Sequence, residues 1–174
     1  QVMPFPAYAI PLENNQYSNT APSKLIIEKD CPDRDIVAQT SFDITIKNIG
    51  LGSLVDYEIK EAYVEDANGE LQNFEVSFVS PLILGKGETT RMGINIAIDF
   101  NSVEAVKKES LEAISMCCLF TDLLGHNYTQ QFTIKSEVHS SGEEEGTRVD
   151  GSRKKRAIYS IHPKQISHTH PNEE

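Results

Sequence analysis

The segment Phe42-Asp43-Ile44-Thr45-Ile46-Lys47-Asn48-Ile49-Gly50-Leu51-Gly52 alternates apolar with polar side chains and then runs into two glycines. A period of two puts Phe42, Ile44 and Ile46 on one face of an extended chain and Asp43, Thr45 and Lys47 on the other, the pattern of a half-buried strand. Gly50 and Gly52 can adopt the positive φ that a tight reversal needs. The same grammar repeats in both directions. Upstream, Lys24–Glu28 is a brief strand. Downstream, Val55, Tyr57 and Ile59 alternate with Asp56, Glu58 and Lys60, and Ala62 and Val64 extend the run. Phe74, Val76 and Phe78 follow, then Ile94, Ile96 and Ile98, then Ile114, Met116, Cys118 and Phe120, then Tyr128, Phe132 and Ile134. Asn68-Gly69, Gly85-Lys86-Gly87 and Leu124-Gly125-His126-Asn127 supply turn chemistry between them. One stretch departs from the pattern: Asn101 can cap a helix, Glu104 stands three residues on as in a capping box, and Ala105, Lys107, Lys108 and Glu109 favour a short helix. Strands at near-regular spacing, joined by turns, predict an all-β domain of two packed antiparallel sheets.

The alternation has limits. Residues 1–24 read as an extended lead-in, because Pro4, Pro6, Pro11 and Pro22 forbid a helix and Asn14, Asn15, Ser18 and Asn19 mark loops. Residues 25–135 hold the sandwich. Residues 136–174 read as a disordered charged tail: Ser140-Ser141-Gly142 leads into Glu143-Glu144-Glu145-Gly146 and then into Arg153-Lys154-Lys155-Arg156. Ala157–His162 is the one part of it able to add a late strand. Cutting the chain after Lys135 is therefore expected to leave the melting temperature nearly unchanged.

The Phe42–Gly52 strand and turn resembles one seen in many prokaryotic immunoglobulin-like domains, where an alternating strand ends in Asn-x-Gly-x-Gly. Leu84-Gly85-Lys86-Gly87-Glu88-Thr89 is similar to the loop before a middle strand of such domains, and Phe120–Tyr128 to their final hairpin. The combination resembles small uncharacterised bacterial and archaeal proteins that carry such a sandwich behind a membrane helix. The likeness covers about residues 36–135. It implies an immunoglobulin-like antiparallel β-sandwich of about seven strands with one short helix, and it implies no activity. Two features separate the chain from antibody-type domains: it contains no Trp, and no Cys stands at positions 42, 44 or 46 to bridge toward Cys117 or Cys118. No structural disulfide is expected within the sandwich.

Charge excludes one class of partner. The formal net charge is −10 over 174 residues. Residues 1–135 hold ten Lys and Arg against nineteen Asp and Glu, whereas residues 136–174 hold six against seven, so the folded body carries the acidity. Such a surface repels phosphate backbones, and no nucleic acid partner is expected. The longest apolar runs, Pro81–Leu84 and Met116–Phe120, are far shorter than a membrane helix. The chain opens on Gln1 with no secretory signal and so reads as a processed or shortened product, from which an upstream signal or anchor could have been removed.

Candidate chemistry is sparse. Asp30, Asp33 and Asp35 cluster beside Pro32 as hard oxygen ligands for Ca²⁺, but their spacing matches no defined calcium loop, and a solvated acidic turn is the plainer reading. His162, His168 and His170 could pick up a transition metal only loosely, and His126 occupies a hairpin turn. Cys31, Cys117 and Cys118 form an odd set without metal spacing; adjacent Cys117 and Cys118 point to opposite faces of a strand, so at least one is read as a small buried hydrophobe, with a bridge from Cys31 the alternative. Nucleophilic catalysis would need a base beside a Cys or Ser; Asp122 and His126 flank a turn without an obvious third member. No Walker-type or dinucleotide glycine pattern occurs, so no cofactor is expected. Arg153, Lys154, Lys155 and Arg156 are the strongest charge feature and the candidate interaction site, whether for an acidic partner or for anionic lipid. These readings give a non-enzymatic binding module held near a membrane or cell surface, with a protein partner. The alternatives are an accessory domain of a larger protein and, more weakly, a hydrolase with an unrecognised site.

Overall fold

The computed structural model describes residues 3–11, 23–29, 36–79, 83–99, 107–147 and 149–174. They form β1 Pro6–Ala9, β2 Ser23–Lys29, β3 Ile36–Asn48, β4 Leu54–Glu65, β5 Leu71–Phe78, β6 Ile83–Leu84, β7 Thr89–Asp99, β8 Ala113–Thr121, β9 Asn127–Thr147, β10 Arg153–His168 and β11 Asn172–Glu173, with a 3-10 turn at Glu109–Glu112. Each alternating run of the sequence falls in one of these strands. The helix expected from Asn101 falls largely outside the described residues. From Lys107 onward the chain makes only the 3-10 turn, which buries Leu111 and leads straight into β8.

The sheet is not a sandwich. Antiparallel pairing runs β3–β2–β10–β9–β8–β4–β5–β7 and returns to β3, closing an eight-stranded barrel; β1, β6 and β11 are extra strands paired with β3, β4 and β9. This corrects the immunoglobulin-like expectation, because a sandwich is two separate sheets, whereas here each of the eight strands pairs with a neighbour on either side and the sheet returns on itself. Period-two alternation is common to both architectures and cannot choose between them. The deciding strand is β10. It pairs with β2 from Lys155 opposite Lys29 to Ile161 opposite Ser23, and with β9 from Arg153 opposite Thr147 to His168 opposite Phe132.

Residues 136–174 are therefore wall rather than tail. Val138, Ala157 and Ile161 are buried, and Tyr159 and Ile166 pack against the core. The run was misread because β10 breaks its own rhythm, with register shifts between Ile158 and Tyr159 and between Pro163 and Gln165. Pro163 is tolerated because its pairing with β2 has already ended at Ile161 and it lies beside a bulge.

Side chains fill the barrel. Phe42, Ile44, Ile46, Ile96, Met116, Phe120 and Phe132, the residues expected in the core, are each no more than 2% exposed. β4 joins this core only by changing phase. Register shifts between Val55 and Glu58 and between Ile59 and Glu61 bring Leu54, Tyr57, Ile59, Ala62 and Val64 all inward, and Asp56 takes a left-handed φ of 50° at the first of them.

The Phe42–Gly52 segment also organises one barrel end. Asn48 is fully buried; its Oδ1 accepts from the Phe5 and Gly50 amides, and its Nδ2 donates to the Gly52 and Leu84 carbonyls. The N-terminal segment crosses directly over Gly50, where a Cβ would lie 2.3 Å from the Met3 carbonyl oxygen. The glycine is needed for that approach.

Candidate functional site

β3 has one continuous neighbour and one interrupted one. On one edge it pairs with β7 throughout. On the other it pairs with β2 only at Ala38 and Gln39, and with β1 only from Thr45 to Asn48. Between these contacts, from Thr40 to Ile44, no described strand pairs with that edge. The wall opens there into a cleft of about 650 Å³ lined by β3, the ends of β1 and β2, Arg91 of β7 and the His162–Lys164 bend of β10. Ser23 Oγ donates to the Ser41 carbonyl at 2.7 Å, spanning part of the gap. Thr40 also lines the cleft, and its Oγ1 is buried with no hydrogen-bond partner.

The charge of the cleft runs against that of the protein. Lys24, Arg91 and Lys164 line the cleft beside a single carboxylate, Asp43, with His162 among the polar lining. Lys164 Nζ lies 3.7 Å from Glu137, and the His162 ring stands edge-on to His139 at 5.4 Å. Lys24 and Arg91 form no ion pair among the described residues. Ile10, Pro11 and Pro163 supply apolar walls.

Two other polar clusters are structural in their bonding. Inside the barrel, the Tyr8 hydroxyl donates to Gln130 Oε1 at 3.0 Å and the Cys118 thiol to the Gln130 carbonyl at 3.1 Å, leaving the Tyr8 oxygen to accept from Tyr57 at 2.9 Å. Gln130 Nε2 donates to the Pro6 and Thr169 carbonyls, so this side chain ties both chain ends to β9. Burial raises the pKa of Cys118, outweighing its hydrogen bonds with the two tyrosines, and keeps it a thiol rather than a nucleophilic thiolate.

At the β8–β9 turn, Asp122 Oδ1 accepts from the Leu124 and His126 amides, and Oδ2 meets His126 Nδ1 at 2.7 Å and the Tyr128 hydroxyl at 3.1 Å. Burial opposes the Asp122 charge, yet the hydrogen bonds from His126, Tyr128 and Leu124 prevail and hold the pKa at about 2. The hydrogen bond to Asp122, and its charge, raise the pKa of His126. Tyr128 is thus the third member of the Asp122–His126 pair, and the three lock a turn.

The chain matches no protein-family model, no curated protein and no solved structure. The likeness to immunoglobulin-like domains thus has no family match behind it, and the closed barrel contradicts it.

Of the residues singled out in the sequence, Asp30, Cys31, Asp33 and Asp35 lie outside the described residues. Arg153, Lys154, Lys155 and Arg156 lie in β10, with Arg153 and Lys154 opposite Thr147 and Gly146 of β9, Lys155 opposite Glu145 and Arg156 opposite Glu144. Arg156 also reaches Glu28 Oε1 of β2 at 3.3 Å. Strand pairing thus sets Lys155 and Arg156 against carboxylates of the same chain. His168 and His170 stand edge-on to Phe5 at 5.9 and 4.8 Å. No group of three or more His, Cys, Asp or Glu among the described residues is placed to hold a metal ion, and no described helix is long and apolar enough to cross a membrane. Sequence reasoning missed the cleft entirely. Its lining comes from both termini and three separate strands, and no local motif joins them.

Ile49, Leu51, Ile83, Leu123 and Leu124, each more than half exposed, gather at the end of the barrel organised by Asn48. Pairing of Leu54 with Leu84 and of Val55 with both Ile83 and Thr121 brings their three segments together.

Proposed function

We propose that this chain is a non-enzymatic binding module whose recognition site is the cleft between β3 and β10. The observation that carries the reading is the interruption of pairing along β3, which leaves a concave, polar-and-apolar opening in an otherwise closed wall. A barrel filled by its own side chains has no lumen to offer a ligand, so a break in the wall is where this fold can hold one. The volume lies in the range of small-ligand sites. The basic run is a weaker candidate than it looks in sequence, because its strand partner places carboxylates opposite Lys155 and Arg156.

The test is a small-molecule thermal-shift screen run in parallel on the natural chain and on Gln39→Tyr, which fills the cleft from the exposed face of β3. Ligands that stabilise the natural chain and not the variant support the reading. Ligands that stabilise both equally remove the cleft from consideration.

The exposed apolar end supports a second reading, that of an accessory domain docked onto a neighbouring domain of a larger protein. Exposed leucines in a cluster are typical of such interfaces. Under that reading, Leu123→Ser with Leu124→Ser abolishes co-purification with the covering domain and leaves cleft ligands unaffected.

A further inference from the structure

We infer that the cleft takes a small organic anion, one carboxylate or phosphate head on a short apolar body; this rests on the cleft reading above. Two observations converge on it. First, cations outnumber carboxylates in the cleft, although Asp and Glu outnumber Lys and Arg 26 to 16 in the whole chain. A local reversal of sign inside a concavity focuses anions there against the field of the rest of the molecule. Second, Lys24 and Arg91 are uncommitted among the described residues, and they approach from β2 and β7 on two sides of β3. An oxyanion set between them would gain charge-assisted hydrogen bonds that no protein group now takes.

The apolar residues set the rest of the ligand. Ile10, Pro11 and Pro163 line the same cleft as the cations, so a bare inorganic ion would leave that surface uncovered. Asp43 provides selectivity, because it repels a second negative charge placed along β3. The expected ligand is therefore singly headed rather than a polyanion, which separates it from nucleic acid and from clustered phosphates.

Amide NMR on uniformly labelled full-length chain, titrated with phenyl phosphate, inorganic phosphate and benzyl alcohol, tests the inference. Phenyl phosphate is expected to shift the amides of Ser23, Ser41 and Arg91 saturably, and to bind more tightly than either of the other probes. Replacing both Lys24 and Arg91 by Ala should weaken it about tenfold or more, as loss of two charge-assisted contacts does. Asp43→Asn should tighten it. Lys24 and Arg91 are exposed, so a cooperative melt will show that the double variant still folds. Benzyl alcohol binding as well as phenyl phosphate, at the same amides, would overturn the anion inference and leave the cleft reading standing. Inorganic phosphate matching phenyl phosphate would overturn the apolar half. Shifts that avoid the cleft amides for every probe would sink the cleft itself.

Discussion

β3 and β10 are both staves of the same ring, and they are kept there by different means. β3 sends Phe42, Ile44 and Ile46 inward in strict alternation and pairs with β7 along its whole length. β10 buries only Ala157 and Ile161 and is irregular twice. What secures β10 is its position between two edges that would otherwise be open, those of β2 and β9, and carboxylates on both neighbours facing its basic residues. A strand can thus belong to a barrel through its own buried face or through the unmet hydrogen bonds of its neighbours.

Deleting residues 136–174 is the most severe trial of that contrast. β2 would lose its long partner, β9 would gain an open edge and the ring could not close, so the cooperative thermal transition should be lost. A melting temperature close to that of the full chain would show that β10 is dispensable. At single residues, Ile44→Ala and Ile161→Ala should each cost about 2–5 kcal/mol on chemical denaturation, because both side chains are buried. A negligible cost at Ile161 alone would mean that β10 rests on the wall without sharing its core. Asn48→Ala should cost about 1–3 kcal/mol, since the Phe5, Gly50, Gly52 and Leu84 backbone groups lose their shared partner. Restoration of stability by Asn48→Asp would show that only the acceptor half matters. Glu28→Gln, which leaves Arg156 without its ion pair, should cost no more than about 1 kcal/mol. A markedly larger loss would make charge, rather than pairing, the chief anchor of β10.

The smallest effect expected is one of pH, at the turn where three neighbouring residues do everything. Asp122 has its pKa lowered from 3.8 to about 2, so its contribution to stability is present above 3.8 and is lost as the pH falls toward 2. His126 has its pKa raised from 6.5, so its contribution is full below 6.5 and fades as the pH rises through the raised value. Together they favour the turn between about pH 4 and 6.5. Melts of the natural chain and of His126→Gln across that range should diverge most at its acidic side and converge above neutrality. Parallel curves at every pH would mean that the His126 contact is not coupled to folding.

The β8–β9 turn and the β4–β5 turn were legible for a common reason. At the latter, Asp66 Oδ1 accepts from the Asn68 and Glu70 amides, Oδ2 accepts from Gln72 Nε2 and Gly69 takes a φ of 81°, so every partner lies within six residues. The cleft had no such signature. Lys24, Thr40, Arg91 and Lys164 are scattered through the chain, and each reads alone as an ordinary exposed or strand residue. The charged run at 143–156 was visible, but its meaning was changed by pairing, since two blocks of opposite sign separated by seven residues look like a solvated tail until they are laid side by side.

By itself the sequence determined that this is an all-β protein, where its alternating strands from Lys24 to Ile134 lie, which of their faces is buried outside the phase-changing β4, and where its tight turns fall. Those properties follow from side-chain period and backbone freedom, which act over a few residues. Only the tertiary structure decided that the sheet closes into a barrel, that residues 153–168 complete it and that no described strand pairs with one edge of β3 from Thr40 to Ile44. Closure depends on which strand edges meet, and an edge offers the same backbone N–H and C=O groups whatever side chains it carries.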